Sequence, residues 1–222
     1  VFWLLFWSRR DRFCPEPRMH LFTAFLFGAL AALFTLPAQS LVATVFGAGT
    51  ALAMLLFISV EEYAKYLGAW FGSVQGNPYY NERIDPIIYL STTALGFAAL
   101  ENILYFLQYL NNFSLDIASI EGGKRIIGAT MLHMVTTGVV GICMSIVFFK
   151  SKTAKLVALG LGLLLAIGIH LGFNYLITNT NPDAVLLGFA FTWFLFMFVV
   201  MAIELLRSPH CPPQIDWNNY EF

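Results

Sequence analysis

The 222-residue chain predicts an all-α fold: a polytopic transmembrane helix bundle of six complete spans, preceded by a truncated N-terminal one. Three observations carry this expectation. The composition is 59% hydrophobic and 11% charged, where a soluble domain has about 45–50% and about 25%. Six apolar stretches reach the roughly 20 residues that a helix needs to cross a hydrocarbon layer about 30 Å thick. Each stretch is continuously apolar, whereas the strands of a membrane barrel would alternate apolar and polar residues.

In chain order, residues 1–7 read as the end of a further apolar segment, followed by a polar linker over 8–19. The complete spans are expected at 20–37, 42–71, 87–109, 126–149, 154–178 and 184–206. Loops at one end fall at 38–41, Asn111 to Glu121 and Asn179 to Asp183; the other end holds 72–86 and a short Pro-rich tail, 207–222. That second end collects Arg9, Arg10, Arg12, Arg18, Lys65, Arg83, Lys150, Lys152, Lys155 and Arg207, against Lys124 and Arg125 at the first. Basic residues gather on the cytoplasmic side, so the tail is cytoplasmic and the chain is a multi-pass protein of the cell membrane, with the lipid bilayer as its partner. Residues 1–222 form a single integral-membrane domain. Twelve basic residues against thirteen acidic ones give a net charge of −1, which lacks the electrostatic footprint of a nucleic-acid binder. Cys14, Cys143 and Cys211 are far apart in the chain and form no CxxC pair, so no disulfide framework is expected.

Ionisable residues inside these spans point to function, because a charge at the bilayer centre costs about 2.5–3.5 kcal/mol on insertion scales. Glu61, Glu62 and Lys65 interrupt the second span, Glu101 and Asn102 the third, His133 the fourth and His170 the fifth. With a rise of about 1.5 Å per residue, Glu61, Glu101, His133 and His170 each lie roughly 5–8 Å from their spans' midplanes. Four helices therefore bring ionisable groups to nearly one depth. Residues four apart share a helix face, which pairs Glu61 with Lys65, Phe97 with Glu101, His133 with Thr137 and His170 with Asn174. Glu61 and Glu62 diverge by about 100° around the helix, so one faces the centre and the other a neighbouring helix or Lys65. Three carboxylates and two imidazoles at one level are a costly way to hold a bundle together. The expected reacting set is Glu61, Glu62, Glu101, His133 and His170, supported by Lys65, Asn102, Thr137 and Asn174. Gly168 with Gly172, and Gly68 with Gly72, have the spacing that lets helix backbones approach closely.

These residues carry a resemblance. Glu61-Glu62-Tyr63-Ala64-Lys65, Phe97-Ala98-Ala99-Leu100-Glu101-Asn102, His133 and His170-Leu171-Gly172-Phe173-Asn174 resemble the ordered motifs of the PrsW family of intramembrane proteases, and the linker Arg10 to Arg18 is similar to the one that follows the first helix there. More distantly, the arrangement is similar to the CAAX prenyl proteases and their bacterial relatives. Members of the family often carry Asp where this chain has Asn174. The resemblance implies an endopeptidase that cleaves a membrane-embedded or membrane-proximal substrate, such as a single-span protein.

Peptide hydrolysis needs an activated water, a general base and groups that receive the oxyanion. Two His and one Glu with an open position make a catalytic zinc set. On this reading a divalent metal, zinc by preference, is held by His133, His170 and at least one of Glu62 and Glu101; the remaining carboxylate polarises the water and Lys65 balances Glu61. A metal-free route uses a Glu to activate water and the imidazoles to stabilise the oxyanion, and the spacing does not choose between them. A proton- or ion-coupled transporter would also place Glu and His at the midplane. Its usual signs, inverted repeats and paired Pro-broken helices, are not visible in the sequence.

Overall fold

The structure, a computed structural model, describes residues 14–112, 115–178, 181–208 and 213. The expected remnant at 1–7 and most of the tail lie outside this set. Among the described residues there are six α-helices and no strands: α1 (Arg18–Phe46), α2 (Ala51–Ala69), α3 (Asp85–Asn112), α4 (Leu115–Ile146), α5 (Lys152–Ile177) and α6 (Pro182–Leu206). Five contain segments long and apolar enough to cross a membrane. The remaining helix, α2, carries Glu61, Glu62 and Lys65 in its 19 residues, and these charges lower its hydropathy.

Two boundaries differ from the sequence reading for identifiable reasons. The turn expected at 38–41 lies inside α1, which continues through Pro37, Gln39 and Ser40 to Phe46. The chain turns instead at Gly47, where φ is +78°, a conformation that glycine enters without a Cβ penalty. Thr50 then caps α2 by accepting a hydrogen bond from the Ala53 amide at 3.1 Å. The Gly47-Ala48-Gly49 run is apolar enough to read as membrane, while Gln39 reads as loop; the helix keeps Gln39 because the side chain has a partner inside the bundle. This later start centres α2 on Val60, so Glu61 lies at the helix middle. The second difference is the loop expected from Asn111 to Glu121, of which Leu115 onward belongs to α4.

The helices alternate in direction. α2 runs into a π-helical turn, Trp70–Val74, before the segment that leads to α3. There the Asp85 carboxylate, in the first turn of α3, holds the preceding segment by accepting from the Asn81 and Glu82 amides, both at 2.6 Å. Ser151 caps α5, and Asn181 with Pro182 starts α6, each with the side-chain oxygen that helix N-termini favour. One end of the bundle gathers the start of α1, the segment before α3, the end of α4 and the tail: the His20 and Tyr79 rings are 5.6 Å apart, those of Tyr80 and Phe148 5.3 Å, and Asn81 Nδ2 donates to Pro213 O at 3.0 Å. This is the end assigned to the cytoplasm. Lys65 is an exception to the basic count, because it is fully buried in the middle of the bundle.

α3 and α4 form the centre, with 67% of their most apolar windows buried against 28–33% for α1, α5 and α6. Glycines set the closest crossings. A Cβ on Gly28 would lie 1.9 Å from Thr93 O, and one on Gly96 1.8 Å from Phe25 O, so the α1 and α3 backbones touch. Gly68 and Gly72 meet Phe27 of α1, in keeping with their spacing. Gly168 and Gly172 have open space where a Cβ would sit, so this pair does not form the helix contact expected of it; α5 turns that stripe away from its neighbours. The expectation of no disulfide is also corrected: Cys14 is disulfide-bonded while Cys143 is free, since separation along the chain does not report proximity in space.

Candidate active site

Midway along the bundle, α2, α3, α4 and α5 bring their ionisable side chains into one constellation. It has a dry layer and an open one. In the dry layer Glu62 and Lys65 are fully buried and paired at 2.6 Å. Three and four residues both bring helix side chains together, and the three-residue pairing with Glu62 prevails over the expected one with Glu61. The Lys65 ammonium also donates to Thr136 Oγ1 at 3.3 Å and reaches His133 Nδ1 at 3.2 Å. Two of its protons thus have acceptors in Glu62 and Thr136. Thr136 in turn donates to Glu62 Oε1 at 3.1 Å. His170 Nδ1 lies 2.6 Å from Glu62 Oε1, so the ring donates through Nδ1 and turns Nε2 toward the open layer. A carboxylate behind a ring nitrogen fixes both tautomer and orientation in this way.

The open layer holds Glu61, Glu101, and the Nε2 edges of His133 and His170. Glu101 Oε2 is 2.9 Å from His133 Nε2, and Glu61 Oε2 is 3.8 Å from His170 Nε2. The imidazoles meet edge to face with centroids 5.2 Å apart, and Phe97 packs 5.3 Å from His133. From α1, Gln39 Nε2 donates to Glu61 Oε1 at 2.7 Å, fixing the carboxylate. One donor atom each from Glu61, His133 and His170 lies within 4.8 Å of the other two.

This layer forms the foot of a cavity of about 540 Å³ lined by Glu61, Glu101, His133, His170 and Asn174, with Tyr105, Tyr109, Phe173 and Phe189 among its walls. From Glu101 to Tyr109 is eight residues along α3, about 12 Å at a helical rise. The cavity therefore runs from mid-membrane toward the end opposite the basic one.

Not every residue named from the sequence meets the cavity. Glu62 lies behind it, as described. Asn102 Nδ2 donates to Thr130 Oγ1 at 3.0 Å, away from the imidazoles. Thr137 Oγ1 is buried without a hydrogen-bond partner among the described residues, and its neighbour Thr136 makes the contact with the Glu62–Lys65 pair. Glu204 pairs with Arg207 at 3.2 Å near the end of α6, far along the chain from the site. The sequence pattern does not single out Gln39 or Thr136: Gln39 falls in a short polar stretch that resembles a loop, and a four-residue spacing from His133 selects Thr137 rather than Thr136. A further buried group, Glu16, Asn77, Asp85 and Tyr89, sits at the basic end, where the Tyr89 hydroxyl donates to Glu16; nothing in the hydropathy pattern singled it out.

The family model described as PrsW family intramembrane metalloprotease matches residues 16–203, a range that contains every residue of the cluster. The chain is 27% identical over 191 residues to a protein named Protease PrsW from Clostridioides difficile (strain 630), covering 82% of this chain and 78% of that one. It is 28% identical over 157 residues to Protease PrsW from Geobacillus kaustophilus (strain HTA426), covering 68% of this chain and 62% of that one. No solved structure matches it.

Proposed function

The chain belongs to the PrsW family of intramembrane metalloproteases, and from that premise we propose that it cleaves a single-span or membrane-proximal protein substrate at the foot of the cavity between α2, α3, α4 and α5. It is an integral, multi-pass endopeptidase of the membrane. The observation that carries the assignment of its chemistry to these residues is the convergence of two carboxylates and two imidazole edges, from four helices, on one cavity.

The donor set suits a divalent cation: two imidazole nitrogens and a carboxylate oxygen within 4.8 Å of one another, with open space in front, match the composition of a catalytic zinc site. Glu61, His133 and His170 would hold it, and zinc is the ion they favour. Bound there, the ion supplies positive charge beside the scissile carbonyl and offsets the buried carboxylates. Glu62 leaves the ligand set on this assignment and acts through His170, whose Nδ1 it holds. Gln39 keeps the Glu61 carboxylate turned toward the cavity.

Glu101 is the general base. Its carboxylate stands in the cavity within reach of a water at the His133 edge, takes a proton from that water as it attacks, and delivers it to the departing amine. A proton moved this way never leaves the pocket. Asn174, one helical turn beyond His170 on the cavity wall, presents an amide donor to the substrate backbone. Lys65 balances the Glu62 charge, so the dry layer stays close to neutral while the open layer works.

Purified protein reconstituted into liposomes should cleave a single-span reporter peptide and should produce no flux of protons or monovalent ions across the same membranes. Ion flux without cleavage would replace the peptidase reading by the transporter one.

A further inference from the structure

Gly128 lies in α4 five residues before His133, about 7.5 Å nearer the cavity mouth at a helical rise. A Cβ on it would stand 2.7 Å from Phe189 Cε1 and 3.6 Å from Phe173 Cζ. The two phenyl rings meet edge to face, with centroids 5.9 Å apart and planes at 82°. Phe173 belongs to the same turn of α5 as His170, and Phe189 follows Gly188, whose backbone lies close against Leu176 of α5. All three residues line the cavity that ends at the cluster. The missing side chain at position 128 therefore lets the Phe189 ring lie back against α4 and leaves lumen in front of it.

An extended peptide advances about 3.3 Å per residue, so two residues span the distance from His133 to the level of Gly128. We propose that Gly128, Phe173 and Phe189 form an apolar specificity pocket that takes the substrate side chain two residues from the scissile bond, on the side facing the cavity mouth, and sets its size. This rests on the endopeptidase reading. The pocket accepts aliphatic side chains and rejects charged ones, because the rings offer no partner for a desolvated charge. A methyl group at position 128 pushes the Phe189 ring into the lumen and shrinks the pocket; removing that ring enlarges it.

The test uses the full chain in liposomes and single-span reporter peptides that carry Ala, Val, Leu, Phe or Lys at each of three positions on either side of the cut. Gly128→Ala should lower the Phe-to-Ala ratio of kcat/KM, and Phe189→Ala should raise it, each by about tenfold, the scale of discrimination in apolar pockets. Both shifts should fall at the one position two residues from the cut. Phe189→Leu, a milder change, should shift the ratio in the same direction as Phe189→Ala. Shifts of the same sign in Gly128→Ala and Phe189→Ala, shifts at another position, or unchanged profiles with cleavage intact would overturn the pocket alone. Absence of cleavage by the wild-type protein would overturn the endopeptidase reading and the pocket with it.

Discussion

Replacing Glu101 with Gln should lower the rate of peptide cleavage by about 10²–10⁴-fold, the usual contribution of a positioned general base, while leaving the protein folded. The amide keeps the size of the side chain and its contact with His133 Nε2, 2.9 Å away, but it cannot accept and return a proton. Glu101 has 16% of its side chain exposed to the cavity, so the substitution does not strand a charge in a dry layer. The rate is to be measured on a single-span reporter in liposomes, beside a thermal unfolding curve in detergent. Asn102→Ala is the companion control: the Asn102 amide bonds Thr130 rather than the imidazoles, and this variant should keep most of the wild-type rate. A Glu101→Gln protein that cleaved at the wild-type rate would remove the carboxylate from the chemistry.

Glu62→Ala should have a different outcome, a loss of stability of about 3–5 kcal/mol, as expected when one member of a buried ion pair is removed. Glu62 and Lys65 are both fully buried at 2.6 Å, and the same carboxylate holds Thr136 and His170. Truncation leaves the Lys65 ammonium fully buried with its strongest acceptor gone. Adding Lys65→Met to Glu62→Ala should restore part of the lost stability, because the second change removes the stranded charge; a double-mutant cycle of unfolding measures the coupling. The activity should not return with it, since His170 has lost the group that orients its ring. If Glu62→Ala unfolded at the wild-type temperature, the dry layer would not have the role given to it.

The ionisable residues stood out in the sequence because charge within an apolar run is costly and therefore conspicuous. Glu61, Glu62, Lys65, Glu101, His133 and His170 could all be named, and their depth compared, from span midpoints alone. What the pattern could not supply was direction around each helix across the bundle. Glu61 and Glu62 differ by one residue, and which of them meets the cavity depends on how α2 packs against α1 and α5. Lys65 had a carboxylate both three and four residues away, and helix geometry permits either. Gln39 was hidden for another reason: a polar residue beside Pro37 in a short polar stretch resembles a loop, and only its partner, Glu61, shows why the helix retains it. The apolar helices α5 and α6 were easy to locate, yet their contribution to the cavity walls through Phe173 and Phe189 was indistinguishable from ordinary lipid-facing aromatic content. The glycines divide in the same way. Gly28 and Gly96 fit where backbones touch, whereas Gly168 and Gly172, with the more suggestive spacing, face open space.

The most direct test of the account is the metal content of the purified, cleavage-competent protein, determined by elemental analysis beside the His133→Ala and His170→Ala variants. The account predicts stoichiometric divalent metal, zinc foremost, in the wild-type chain, its loss from both variants, and loss of cleavage when a chelator that reaches the cavity removes it, with recovery when zinc is returned. Fully active wild-type protein that carries no stoichiometric metal and ignores such chelators would contradict it.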